Sequence, residues 1–392
     1  MKYKRVFLIV LDSLGIGDSH DAYLYNDEGA NTLKNICEYV GGLDLPTLEG
    51  LGLGNLGSFK GINSLKNTLA TVARLQEKSK GKDTMTGHWE MMGIETQIPF
   101  KTFTETGFPD DFIKLFEEKT GRKCVGNIAA SGTDIIEDLG EHQLKTGDWI
   151  VYTSADSVFQ IAANEEIIPL EELYKACEVA RELAMIEEWK VGRIIARPFI
   201  GRCKGEFKRI SNRHDWALEP SSRTVLDELK DNNFDVIGIG KIPDIFANKG
   251  ITKKIHTLSN SDGMEKTINL AKEEFVGLAF LNLVDFDAIY GHRRNPLGYA
   301  EAIKEFDNQL DLLLRELKHD DLLIITADHG NDPTYKGTDH TRETVPLIIY
   351  SKQLTKTNNL GVLDTFAVIG ATIANNFSVN NTGIGYSLLK EI

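Results

Sequence analysis

Several acids and imidazoles in this chain stand in patterns that metal and phosphoryl chemistry uses. Asp328-His329-Gly330-Asn331-Asp332 is a tight run of possible ligands, and Asp339-His340 follows closely. Asp285 and Asp287 lie just before His292, and Asp12 stands near the start. Mixed carboxylate and imidazole donors suit Mn²⁺, Zn²⁺ or iron. Asp12, Asp287, His292, Asp328, His329 and His340 are enough for two ions. Two ions about 3.5–4 Å apart are the usual device for clamping a phosphoryl group during in-line displacement. The plainer use of any one such acid is to cap the helix that follows its strand. Three strand ends that carry acids, two of them with a histidine nearby, favour a site. Spacing alone does not choose between Asp285 and Asp287.

A second stretch, Lys82-Asp83-Thr84-Met85-Thr86-Gly87-His88-Trp89-Glu90-Met91-Met92-Gly93, is dense in polar groups. A threonine hydroxyl is a poor nucleophile at neutral pH, and metal coordination can activate it. The simpler reading is a helix N-cap. A third stretch is basic within an acidic protein: Arg193, Arg197, Arg202, Lys204, Lys208, Arg209 and Arg213, with Lys241 beyond it. Arginine suits bidentate recognition of phosphate, for which two or three residues suffice. Gly52-Leu-Gly54-Asn-Leu-Gly57 spells GxGxxG. A dinucleotide fingerprint needs a strand before it and a helix after it. Here Pro46 and a polar turn precede it, so it reads as a glycine-rich loop.

The elements that must position these groups are legible as period and run length. Short apolar runs at Arg5–Leu11, Ile150–Thr153, Arg193–Ala196, Val236–Ile239, Leu278–Val284, Leu322–Thr326 and Pro346–Tyr350 read as buried strands. Helical periods fall between them at Asn31–Tyr39, Ile113–Thr120, Leu170–Ile186, Ser222–Asn232, Asp262–Lys272, Tyr299–Leu317 and Thr365–Asn375. The alternation predicts an α/β fold with a mainly parallel sheet. Ligands in such folds bind outside the carboxyl ends of the strands, where Asp12, Asp285, Asp287 and Asp328 fall. Soft boundaries near Thr96–Phe103 and Asn212–Ala217 suggest an inserted domain.

The 392 residues carry 44 Lys and Arg against 58 Asp and Glu, a net charge of −14. This speaks against nucleic acid or an anionic membrane as the main partner and leaves room for a small anion held locally. Four scattered cysteines without a CxxC predict no disulfide framework and fit a reducing cytosol. The apolar run near the start is too short for a signal peptide, and no run approaches the ~18 apolar residues of a membrane span.

Taken together, these motifs resemble the prokaryotic phosphopentomutases of the alkaline phosphatase superfamily, over the whole length. The pieces that carry the resemblance are Val10-Leu-Asp-Ser-Leu-Gly-Ile-Gly17, Lys82–Gly93, Tyr152-Thr-Ser-Ala-Asp-Ser-Val-Phe-Gln160, Ser211-Asn-Arg-His-Asp215, Val284-Asp-Phe-Asp287 with Gly291-His-Arg-Arg294, Thr326–Asp332 and Gly337–Arg342. Asp-His-Gly-Asn marks only the superfamily; Lys-Asp-Thr-x-Thr-Gly-His-Trp-Glu is far more specific.

The resemblance implies an alkaline-phosphatase-like α/β core, with a parallel-rich sheet flanked by helices, over residues 1–100 and 217–392. It also implies a smaller α/β cap inserted at 101–216. Two Mn²⁺ are implied, one on Asp12, Asp328, His329 and the Thr84 oxygen, the other on Asp287, His292 and His340. Thr84 would be the phosphorylated residue, preferred to Thr86 because it follows Lys82-Asp83. Ser154, Asp156, Arg193 and Ile195 would contact the sugar phosphate, with Arg202, Arg209 and Lys241 as further contacts. The implied reaction interconverts α-D-ribose 1-phosphate and ribose 5-phosphate, and the 2-deoxy analogues, through a 1,5-bisphosphate. A catalytic amount of sugar bisphosphate would prime it, and it would link nucleoside breakdown to pentose phosphate metabolism. A cytoplasmic monomer that takes small sugar phosphates is expected. A phosphomonoesterase with the same ions and a non-catalytic metal-binding protein are the two rivals.

Overall fold

An unbroken apolar run can become a strand only where both faces of its sheet are covered, and the strand Arg5–Leu11 meets this condition with all seven residues buried. The structure is a computed structural model that describes residues 1–154 and 157–392. In chain order its strands are β1 (Arg5–Leu11), β2 (Thr71–Leu75), β3 (Cys124–Ala129), β4 (Trp149–Thr153), β5 (Val158–Asn164), β6 (Arg193–Ile200), β7 (Lys208–Arg209), β8 (His214–Ala217), β9 (Asp235–Ile239), β10 (Lys253–Ile255), β11 (Gly277–Leu283), β12 (Asp321–Thr326), β13 (Val345–Tyr350) and β14 (Asn359–Leu363). Two compact units result: Met1–Pro99 with Pro220–Ile392, and Phe100–Glu219.

The first unit's sheet runs β10-β9-β11-β1-β12-β13-β2-β14. From β10 to β12 every pairing is parallel, β13 is antiparallel to β12 and to β2, and β14 is parallel to β2. The α/β class with a mainly parallel sheet therefore stands, with an antiparallel strand at Val345–Tyr350. Register then decides what meets at the edge. Val10 lies opposite Asn282 on one side and Thr326 on the other. Two residues further on, Asp12 and Asp328 leave neighbouring strands at the same level. At the opposite end of β1, the buried Arg5 forms a two-pronged pair with Asp321, at 2.8 and 2.6 Å. Its remaining nitrogen donates to the carbonyls of Ala271 and Glu273.

The second unit's sheet runs β3-β4-β5-β6-β7, with β8 pairing β6. One of its cores is aromatic, with Phe108, Phe112, Phe116, Trp149 and Phe159 packed together. Apolar periodicity does not reveal β3, which is largely exposed and kinked at Gly126, or β5, where Gln160 and Asn164 interrupt the apolar run. The GxGxxG stretch follows a short helix, Pro46–Leu51, where a turn was expected; Gly52 ends it with a φ of 104°. No strand directly precedes it, and within it Leu53–Asn55 form one short 3-10 turn in place of the expected loop. Among the described residues the four cysteines are free thiols, and no helix is long and apolar enough to cross a membrane.

Candidate metal centre

The strand ends and their loops bring seven side chains into one cluster in the first unit. Asp12, Asp328 and His329 place one donor atom each within 4.8 Å of one another, and so do Asp287, His329 and His340. His329 is common to both groups. Its Nε2 lies 3.5 Å from Asp12 Oδ1 and 3.4 Å from Asp328 Oδ2. The Thr84 hydroxyl reaches the same nitrogen at 3.2 Å. On the other side, His292 Nε2 lies 3.1 Å from Asp287 Oδ2 and His340 Nε2 lies 3.5 Å from Asp287 Oδ1. The two Nε2 atoms are 3.1 Å apart.

Spacing left Asp285 and Asp287 undecided, and the fold separates them. Asp287 joins the histidines, whereas Asp285 accepts from the backbone N–H of Asn260 at the start of helix Asn260–Ala271.

Burial makes this collection costly as it stands. Asp12 and Asp328 are fully buried, yet Asp12 Oδ1 and Asp328 Oδ2 accept no hydrogen bond. Burial, with the charges of Asp328 and Asp287, pushes the Asp12 carboxyl well above its usual range. Burial works the same way on Asp287, but His340 and His292 outweigh it and hold that carboxyl well below the usual range. Burial alone would lower His329; Asp328, Asp12 and Asp287 instead raise it to about 8. Orphaned carboxylate oxygens and converging imidazole nitrogens are what a divalent cation would satisfy, so these residues fit one.

The groups behind the donors point the same way. His292 Nδ1 and His329 Nδ1 donate to the carbonyls of Thr338 and Gly330, which turns each Nε2 lone pair towards the cluster. Asn331 donates to Asp287 Oδ1 at 2.7 Å. The backbone N–H of Ser13 donates to Asp328 Oδ1 at 3.0 Å, from a residue held at a φ of 71°. Asn282 donates to Asp12 Oδ2 at 2.9 Å.

Thr84 is the first residue of helix Thr84–Met91, which Asp83 caps by accepting from the backbone of Thr86. The hydroxyl thus sits at the positive end of a helix, where an anion is favoured. Arg342 anchors the preceding loop through the Gly81 carbonyl and Glu77. Lys82 pairs with Asp27 and Asp339.

A family model described as the metalloenzyme superfamily matches residues 4–381. A phosphopentomutase of Clostridium tetani is 55% identical over 396 residues, covering 100% of this chain and 99% of its relative. A phosphopentomutase of Clostridium beijerinckii is 56% identical over 394 residues, with the same coverage. The chain belongs to the phosphopentomutase family. It is thereby an isomerase of the phosphomutase kind within a metalloenzyme superfamily, with the α/β class that the motifs implied. Among solved structures, a phosphoglycerate mutase of Leishmania mexicana aligns with 98% of this chain and 97% of its own, at 12% identity and a TM-score of 0.49.

The sugar-phosphate contacts implied by the phosphopentomutase motifs fall in several places. Ser154, Arg193 and Ile195 line a cavity of about 220 Å³ in the second unit, together with Arg197, Arg213 and the Ser131–Gly132 start of helix Gly132–Thr146. Arg202 and Arg209 are not among its lining residues; both are exposed, and Arg202 lies 3.8 Å from Glu166. Lys241 belongs to the first unit, where its charge acts on Asp12. Asp156 lies outside the described residues. Sequence reasoning gave no role to Asn282 or His88, and counted Asn331 only within a run of possible ligands. Asn282 did carry a signal, a lone amide inside the apolar run of β11.

Proposed function

We propose that this chain interconverts α-D-ribose 1-phosphate and D-ribose 5-phosphate, and the 2-deoxy pair, with Thr84 as the phosphorylated residue. The observation that carries the reading is the Thr84 hydroxyl, 3.2 Å from His329 Nε2 at a helix N-terminus beside six acid and imidazole donors. Family membership supports the substrate class.

Asp12, Asp328 and His329 would hold one divalent ion and Asp287, His292 and His340 a second, Mn²⁺ being the expected metal. Bound ions supply Lewis-acid neutralisation of the charge on the transferring group. The chain's own residues do the rest. Phospho-Thr84 gives its phosphoryl group to the free hydroxyl of a pentose monophosphate; the Thr84 Oγ–P bond breaks, a sugar O–P bond forms, and the proton of the sugar hydroxyl ends on Thr84 Oγ. The resulting 1,5-bisphosphate offers its other phosphoryl group to Thr84, and the isomeric monophosphate leaves. The first-turn amides of helix Thr84–Met91 favour the phosphorylated state. Ser154, Asp156, Arg193 and Ile195 would bind the sugar phosphate, helped by Arg202, Arg209 and Lys241. Sugar bisphosphate would prime unphosphorylated protein.

Phosphorus NMR of ribose 5-phosphate with the Mn²⁺-treated protein and a trace of sugar bisphosphate, quenched and freed of Mn²⁺ before acquisition, tests this. Ribose 1-phosphate without inorganic phosphate is expected, and Thr84→Ala abolishes it. Inorganic phosphate growing at the expense of ribose 5-phosphate would make the protein a phosphomonoesterase.

A further inference from the structure

His88 is fully buried, and the chemistry above does not use it. Its Nδ1 lies 2.8 Å from the carbonyl oxygen of Thr84 and 3.2 Å from Asp328 Oδ2. Its Nε2 lies 3.3 Å from Asn282 Nδ2, the nitrogen that also donates to Asp12 Oδ2 at 2.9 Å. Donor and acceptor chemistry orders this chain. A carboxylate only accepts, so the Asn282 atom facing Asp12 must be the NH₂ group; turned over, two oxygens would meet. That nitrogen has two hydrogens. One goes to Asp12, and the other points to His88 Nε2, which must present a lone pair. The ring hydrogen is therefore on Nδ1, facing two acceptors. Phe280 stacks on the imidazole at 5.8 Å between centroids and 24° between planes, which limits its rotation. Asn282 Oδ1 remains buried without a hydrogen bond, a cost in stability that a purely structural strand residue would not need to carry.

We propose that Asn282 and His88 are positioning residues for phosphoryl transfer: Asp12 orients the Asn282 amide, the amide locks His88 as its Nδ1–H tautomer, and that N–H holds the Thr84 carbonyl beside the Asp328 carboxylate. One hydrogen-bonded chain then ties the nucleophile's backbone to Asp12 and sets its imidazole 3.2 Å from Asp328, an acid that leaves a different strand. The proposal rests on the reading of Thr84 as the phosphorylated residue.

Two measurements test it. The first is nitrogen-15 NMR of histidine-labelled, Mg²⁺-loaded protein, with His88 assigned by the signals missing from His88→Asn. Native His88 shows a pyrrole-type Nδ1 and a pyridine-type Nε2, and Asn282→Leu loses that single tautomer. A pyrrole-type Nε2 in the native protein overturns the relay, even if every variant misfolds. The second is the rate of Thr84 phosphorylation by sugar bisphosphate, followed by mass spectrometry. An asparagine amide can take the place of Nδ1, and a glutamine amide that of Nε2. His88→Asn therefore retains more activity than His88→Gln, which loses about 10–100-fold, as groups behind metal ligands commonly do, with KM for the sugar phosphate unchanged. Equal rates for the two variants, or a faster His88→Gln, overturn the proposal. Native protein that never carries phosphate on Thr84 sinks the functional reading itself; phosphorylated Thr84 with the wrong tautomer sinks the relay alone.

Discussion

Gly87 is where helix Thr84–Met91 presses on the end of β12. A Cβ there would lie 2.2 Å from the carbonyl oxygen of Asp328, against an ordinary contact of about 3.4 Å. Gly87→Ala must therefore part the helix from the strand end by about 1.2 Å. Overpacking of this kind costs about 1–3 kcal/mol. The neighbour is backbone, so no side chain can swing aside to absorb the clash. Thr84 is one turn away on the same helix, and its hydroxyl moves with it relative to His329 and Asp328. A misplacement of about 1 Å lowers a rate by about 100-fold. The assay pairs urea unfolding with the rate of Thr84 phosphorylation. Gly50→Ala is the control, because a Cβ there meets nothing within 4 Å, and it should keep both native stability and native rate. Gly87→Ala with native stability and native rate would refute the claim that this contact sets the position of Thr84.

Other outcomes follow from the same geometry. Asn331→Ala removes the 2.7 Å donor to Asp287 and should weaken Mn²⁺ binding about 10–100-fold, read by titration of metal-free protein. His329 must lose the proton that it holds up to about 8 before it can bind an ion, so Mn²⁺ affinity should fall about tenfold per pH unit below that value. Affinity that stays flat on acidification would count against His329 as a ligand. Arg5→Ala leaves Asp321 buried and unpaired, and should cost about 3–5 kcal/mol in urea unfolding while turnover below the transition stays native.

What the chain disclosed by itself was local chemistry. The apolar runs of β1, β11 and β12 are long enough and pure enough that only a doubly covered sheet can take them. Donors clustered within a few residues, such as Asp328-His329 and Asp339-His340, announce a metal site without any fold. Thr84 stood out only through the resemblance of Lys82–Gly93 to the phosphopentomutase motif; by itself that stretch read as a helix N-cap. The tertiary structure decided everything that depends on register and direction. Asp285 and Asp287 are two residues apart, and only the turn after β11 sends one to the histidines and the other to a helix N-terminus. Asn282 sits in an apolar strand, and only its pairing opposite Val10 brings its amide between Asp12 and His88. Arg197 and Arg213 looked like any other basic residues until the second unit's sheet set them around one cavity, while Arg202 points to solvent. The physical reason is the same in each case. Residue type sets what a group can do, and long-range strand pairing, which no local pattern encodes, sets what it does it to.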